Sequence, residues 1–307
     1  MEDFLEIGAL SKGDLDGLIS LALDLHQDRD LYRMAFGGAS IASIFEKPST
    51  RTRVSVAVAA SALGARVVDV SRSGSEPLRS LKDVVHSVAV YVDAFFIRTF
   101  RHETLVSLAE ELSIPVVNGL SNTHHPCQAL ADLVTIKEHL GALEGVRVAF
   151  VGDATSNTWR SLVEASALTG ISVTAAAPER YWPDLEVLRR IQKTGSPHGS
   201  RIELVVDPEE AVRGADVVYP EVWVPMDRLH ESEQRLRDLA GYRVDLPLMR
   251  MASKDAVLLH CLPANRNQEV SAEVLEGRHS LVWRQAENRM VTTQAVLINV
   301  LPGNHPL

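Results

Sequence analysis

Short apolar runs alternate with amphipathic stretches along nearly the whole chain. Residues 41–45 form an apolar run that reads as a buried strand, and residues 54–60, apolar and small, read as a helix closing near Gly64. Upstream, residues 3–35 read as helices, with Leu18, Leu21, Leu23 and Leu25 recurring between charged positions. Downstream the pattern predicts a short strand at 67–70, a helix at 81–91, a strand at 94–97, a helix at 103–112 and a strand at 116–117. Pro126 sits at the favoured first-turn position of a helix reaching about His139 and ending at Gly141. The second half starts over: a strand at 146–151, a turn at 152–157, and a helix at 158–169 stopped by Gly170. Further strands follow at 171–176, 202–206, 215–219 and 256–260, most with helices between them, and a last helix at 286–301. Residues 71–77, 118–125 and 195–200 read as polar loops.

Strands alternating with helices predict an α/β fold of two domains, each a parallel sheet flanked by helices. The length of 307 residues exceeds what one core usually supports. The expected division is 1–142 and 143–287, with the C-terminal helix, 288–307, packing back on the first domain. In such sheets ligands bind beyond the carboxyl ends of the strands, so the expected active site is an interdomain cleft.

Composition narrows the function classes. Hydrophobic residues make up 46% and charged residues 23%, a globular mix, and no apolar run reaches membrane length. The start, Met1-Glu2-Asp3, lacks a signal-peptide pattern, so a cytoplasmic location is expected. A net charge of -9 argues against nucleic acid as a partner, so an anionic substrate would need a local basic pocket. The two cysteines, Cys127 and Cys261, are read as cytosolic thiols rather than a disulfide, and Cys127 as a small buried hydrophobe. No metal and no cofactor are expected. His86, His102, His124 and His139 carry no motif and are read as surface or structural; Glu46 and Lys47 are read as solvated or hinge-paired.

Chemistry concentrates at strand ends. In Phe45-Glu46-Lys47-Pro48-Ser49-Thr50-Arg51-Thr52-Arg53, two hydroxyl residues stand where a helix begins, beside two guanidinium groups. Free N–H groups, hydroxyls and guanidiniums together make a phosphate site; the alternative is a capped surface helix with ordinary arginines. Arg98, His125 to Gln128, Asp153 to Asn157, Glu221 to Met226 and His260 to Pro263 occupy other strand ends. His125 before Pro126 is either a site residue or a helix-entry cap, and Asp153 with Asn157 either site or turn residues.

Taken together these segments resemble the aspartate and ornithine carbamoyltransferases. Residues 45–53 are similar to that family's carbamoyl phosphate motif, and His125-Pro126-Cys127-Gln128 with Ala131-Asp132 to its second motif. His260-Cys261-Leu262-Pro263-Ala264 and Glu287-Asn288-Arg289-Met290 are similar to motifs of the ornithine branch. The resemblance implies that Ser49, Thr50, Arg51 and Thr52 hold the phosphate, and that Arg98, His125 and Gln128 hold the carbamoyl end. Cys261 and Leu262 would line the reacting centre, and Arg289 would complete the set. It also implies a homotrimer, or an assembly of trimers, whose sites are completed by a neighbour's loop, here 73–82 with Glu76, Arg79 and Lys82.

The acceptor side departs from the ornithine branch. Where that branch reads Asp-Val-Trp-x-Ser-Met-Gly, this chain reads Glu221-Val222-Trp223-Val224-Pro225-Met226-Asp227, and one of two adjacent asparagines is Ser156, beside Asn157. Asn157, Glu221, Met226 and Cys261 are the expected acceptor contacts. The expected reaction carbamoylates a small amine other than ornithine, such as 2,3-diaminopropionate or 2,4-diaminobutyrate. The alternatives are an ornithine enzyme that tolerates the changes and an idle carbamoyl phosphate-binding regulatory protein.

Overall fold

A computed structural model describes residues 1–70, 81–226 and 228–301. The chain forms two compact units, Met1–Val134 with Asn288–Leu307, and Thr135–Glu287. Among the described residues the strands are β1 (Ser40–Phe45), β2 (Arg66–Asp69), β3 (Ala94–Arg98), β4 (Val116–Leu120), β5 (Arg147–Val151), β6 (Ser172–Ala176), β7 (Ile202–Val205), β8 (Val217–Pro220) and β9 (Val257–Leu258). The α-helices are α1 (Lys12–Gln27), α2 (Thr50–Ala62), α3 (Leu81–Val88), α4 (His102–Glu111), α5 (Pro126–Leu140), α6 (Asn157–Thr169), α7 (Leu185–Gly195), α8 (Pro208–Val212), α9 (Ser232–Asp238), α10 (Leu246–Met249), α11 (Ala272–Leu275) and α12 (Val282–Val300). The division between units falls inside α5 and again inside α12.

The first unit holds a four-stranded sheet in the order β2-β1-β3-β4 and the second a five-stranded sheet in the order β7-β6-β5-β8-β9. Every pairing between these strands is parallel. Residues two apart on a strand share a face, so Ala42 and Ile44 of β1 and Phe95 and Ile97 of β3 enter one cluster, closed by Val85, Leu105 and Leu108 of the helices. Full burial of a side chain of this size contributes about 1.5–3 kcal/mol.

Three elements differ from the sequence expectation. Residues 3–35 are not helical throughout: Phe4 bridges to Val117 beside β4 and only α1 is a long helix. Ser11 sets its start through a capping box with Asp14, and the apolar Phe4 is fully buried against the sheet instead. β9 is two residues long; beyond it the Leu259 N–H still donates to the Val218 carbonyl, and the His260 N–H goes to the Gln285 side chain at 2.9 Å. Residues 195–200 are not an open loop but the end of α7 followed by a 3-10 turn, Ser196–His198. Gly170 ends α6 in the left-handed region, φ 80°, as its position in the pattern requires.

Candidate active site

In the first unit β1 delivers the chain to Ser49, which caps α2 by accepting from the Thr52 N–H at 3.4 Å. The strand–turn–helix read from the sequence is therefore present, with the free N–H groups of the first turn of α2 at the end of a parallel strand. Ser49 Oγ donates to Thr52 Oγ1 at 3.0 Å. Arg289, on α12, donates to Thr52 Oγ1 at 3.2 Å and to Gln128 Oε1 at 2.8 Å. Gln128 in turn donates from Nε2 to the buried Asp132 at 2.8 Å, which fixes which face of its amide is the acceptor. Thr52, Gln128, Asp132 and Arg289 are all buried. A chain of hydrogen bonds thus joins residues 49, 52, 128, 132 and 289, far apart in sequence.

His125 is buried at the start of α5 and its backbone carbonyl accepts from the Gln128 and Ala129 N–H groups. Burial, followed by the charges of Arg289, Arg98 and Arg51, holds its imidazole well below the usual histidine range. The ring is therefore neutral near pH 7 and can donate one hydrogen bond without adding charge. The same observation sets Arg51, at the start of α2, and Arg98, at the end of β3, within electrostatic reach of His125. Three guanidiniums, two hydroxyls and a neutral imidazole form a surrounding suited to a dianion with an adjoining carbonyl. Thr50, exposed, is the first residue of α2.

Two neighbours of this motif are more tightly held than sequence suggests. Lys47 is buried, with its ammonium 4.8 Å from the Phe100 ring centroid, and Glu46 accepts from the Thr99 hydroxyl. Neither is a solvated residue: the turn between β1 and α2 tucks both against the end of β3. Arg53 pairs with Asp69 and lies over the Phe45 ring, 4.3 Å from its centroid, so it braces the turn.

The second unit carries the remaining candidates. Glu221 follows β8 and is buried. It accepts from Ser156 Oγ at 3.1 Å and from the Val222 N–H at 3.1 Å. Burial first, then the nearby charge of Asp153, pushes its carboxyl up from 4.5 to about 8. Ser156 also caps α6, with Asn157 as that helix's first residue. Gly152 belongs to the same corner: at φ 129° it sits where an added Cβ would lie 3.4 Å from Glu221. Met226 is exposed. Cys261 and Leu262 are half-buried on a turn whose Leu262 N–H donates to His260 Nδ1 at 2.7 Å. Leu262 has φ 52°, an uncommon conformation for a branched residue and one that concentrates at functional sites. Both cysteines are free thiols, and burial pushes Cys127 up to about 11, so it is chemically inert.

Sequence reasoning missed the residues that hold these candidates in place. Arg235, on α9, is fully buried, pairs with Asp153, donates to the Trp223 carbonyl and lies over Tyr181. Asp153 also accepts from the Thr155 N–H at 2.8 Å and its hydroxyl at 2.6 Å, so it anchors the turn rather than merely making it. His260 faces Glu269 at 3.4 Å, both buried. A buried charge without a partner is costly, so an Asp in an otherwise apolar strand end was the available signal. Of the expected neighbour-subunit residues, Lys82 is the second residue of α3 and pairs with Glu111 at 2.7 Å; Glu76 and Arg79 lie outside the described residues, as does Asp227.

Residues 2–138 match the model of the aspartate/ornithine carbamoyltransferase carbamoyl-P binding domain, and residues 144–300 that of its Asp/Orn binding domain. The chain belongs to the aspartate/ornithine carbamoyltransferase family. This carbamoyltransferase is 44% identical to an ornithine carbamoyltransferase of Acidothermus cellulolyticus over 96% of its length and 95% of the relative's. It is 43% identical to one from Methanothermobacter thermautotrophicus, over 94% and 96%. The ornithine carbamoyltransferase structure from Pyrococcus furiosus superposes with a TM-score of 0.91 at 36% identity, covering 98% of this carbamoyltransferase and 97% of that chain. All three carry the ornithine name, so they place the enzyme near the ornithine branch and lend no support to another acceptor. Among the described residues no helix is long and apolar enough to cross a membrane.

Proposed function

We propose that this carbamoyltransferase moves the carbamoyl group of carbamoyl phosphate to an amine of a small diamino acid, giving a ureido product and phosphate. The observation that carries it is the network of half-buried Ser49 and buried Thr52, Arg289 and Gln128 beside a neutral His125, with Arg51 and Arg98 near. In this reading Ser49, Thr50, Arg51 and Thr52 hold the phosphate, with the α2 N-terminus facing it. Arg98, His125, Gln128 and Arg289 hold the carbamoyl end. The amine lone pair forms a bond to the carbamoyl carbon, the carbon–oxygen bond to phosphate breaks, and phosphate leaves with that electron pair. Charge on the carbonyl oxygen in between is met by Thr52, Arg98 and His125, a role worth roughly 3 kcal/mol per donor. The nitrogen's excess proton goes to the departing phosphate or by way of Cys261. Holding two reactants in place can itself remove about 7–11 kcal/mol of barrier. No protein nucleophile enters these steps.

Ornithine is the acceptor that the relatives' names support. A shorter diamino acid is favoured by one observation: Glu221, longer than the branch's aspartate, is buried and bonded to Ser156, where the branch has asparagine. Pro225 adds a position with neither hydroxyl nor N–H to donate. The acceptor is read as held by Asn157, Glu221, Met226 and Cys261. A third reading, an idle carbamoyl phosphate-binding protein, conflicts with the retained Arg51, Arg98, His125, Gln128 and Cys261. The deciding experiment is phosphate release and kcat/KM for ornithine, 2,4-diaminobutyrate and 2,3-diaminopropionate. Loss of one hydrogen bond to a charged group costs about 1.5–3 kcal/mol, so a rebuilt pocket would show ornithine roughly ten- to a hundredfold behind a shorter amine. Efficient ornithine turnover with slow shorter amines would establish the ornithine reading, and no turnover of any amine the idle one. The enzyme is further read as cytoplasmic and as a homotrimer.

A further inference from the structure

Glu6, His102 and His124 meet at a point that the reaction does not use. Glu6 stands just before a short 3-10 turn near the N-terminus, His102 begins α4, and His124 lies in the loop between β4 and α5. Glu6 Oε2 lies 3.1 Å from His124 Nε2 and 3.5 Å from His102 Nε2, and the three ligand atoms lie within 4.8 Å of one another. The ring centroids are 4.3 Å apart. Zinc–nitrogen and zinc–oxygen bonds of about 2.0–2.1 Å in a tetrahedron set neighbouring ligands roughly 3.3 Å apart; the two Glu6–histidine separations, 3.1 and 3.5 Å, lie close to that spacing.

The other ring nitrogens are also provided for. His102 Nδ1 faces Ser121 Oγ at 3.0 Å, and His124 Nδ1 faces Thr123 Oγ1 at 2.9 Å. Hydroxyl oxygens accepting from both Nδ1–H groups would fix the tautomers that leave both Nε2 atoms bare toward Glu6, the arrangement that supports metal-ligating histidines. His124 is buried, and His102 and Glu6 are half-buried.

We propose that Glu6, His102 and His124 form a binding site for a zinc-class divalent transition metal, with two imidazoles, one carboxylate and a water as ligands. The metal would tie three segments together: the N-terminal stretch paired with β4 through Phe4, the start of α4, and the loop leading to His125. Its role is to position: His124 is covalently next to His125, so the metal fixes the backbone from which that site residue projects.

The test uses the full-length protein, stripped with chelator, dialysed and titrated with Zn2+ by calorimetry, and with Co2+ followed by absorption. One equivalent per chain is expected, with a tetrahedral cobalt spectrum free of thiolate charge transfer and a rise in melting temperature. Glu6→Gln and His102→Ala, each checked for folding by circular dichroism, should abolish that equivalent, and Thr123→Val should weaken it by about tenfold or more. Cys261→Ser should leave it intact. Three outcomes would overturn the site: no zinc bound by the wild type, stoichiometric zinc that survives Glu6→Gln, or zinc lost only with Cys261→Ser. In the first case the trio would be a hydrogen-bonded cluster and nothing more.

Discussion

At the scale of single residues, two titrating groups sit on opposite sides of their ordinary values for the same first cause, burial. His125 is kept neutral, and Glu221 is kept protonated up to about 8. On the proposed function each would serve a charged ligand differently: His125 can donate to a carbonyl without repelling three nearby guanidiniums, while Glu221 would become a full counter-charge only when a cation arrives. The sign for Glu221 follows from linkage. Its folded value lies above its unfolded one, so its contribution to stability is whole below about pH 4.5 and is lost as pH rises through about 8. Urea unfolding at about pH 5 and about pH 9 should therefore show the ligand-free wild type losing stability relative to Glu221→Gln; parallel curves would remove the burial argument. Arg51→Ala tests the other pole. The fold should persist by circular dichroism, while carbamoyl phosphate affinity, read by calorimetry, should fall by ~2–4 kcal/mol. Unchanged binding would move the phosphate elsewhere.

At the scale of elements, the helix starts do most of the placing. Ser49 caps α2, Ser156 caps α6, and Pro126 opens α5, and each cap is also beside, or part of, a candidate site. These starts were legible because capping and proline positions are local: Ser49, Pro126, Gly170 and the apolar runs need no tertiary partner to be read. The buried side-chain partners were not legible, because a partner 82 residues away leaves no local pattern, as with Arg235 and Asp153. In sequence Arg235 is one charge among many on a polar stretch; only the fold puts it inside, holding the Trp223 carbonyl from α9. For the same reason the sequence left Lys47 open between a solvated and a paired residue, and Glu6, His102 and His124 were not read as a group. Breaking a buried ion pair by removing one partner costs about 3–5 kcal/mol. Arg235→Met should lower the urea midpoint accordingly and raise KM for the amine more than KM for carbamoyl phosphate. Equal effects on both KM values would mean that α9 supports the fold in general and not the 221–226 segment.

At the scale of the whole molecule, the described residues of the first unit include exposed apolar side chains. Val54 and Val58 lie one turn apart on α2, 57% and 47% exposed, and Val68 is 48% exposed on β2, an edge strand. Residues four apart on a helix share a face, and an uncovered sheet edge invites a partner. A second copy of the chain, in a threefold assembly, is the occupant that the proposed homotrimer supplies. Lys82 fits the same picture: its pair with Glu111 is exposed on both sides, and such pairs are worth about 0–1 kcal/mol. That is too little to keep the ammonium from a neighbouring subunit's anion. Sedimentation should give a trimer for the wild type, and Val54→Glu with Val58→Glu should dissociate it with secondary structure retained. Mixed trimers of Lys82→Ala and Arg51→Ala subunits should recover part of the activity that each alone lacks, since one assembled site would then carry neither change. A wild-type monomer would refute the assembly. A trimer indifferent to charges on α2 would place its contact on another face, and verified mixed trimers without recovery would confine Lys82 to its own subunit.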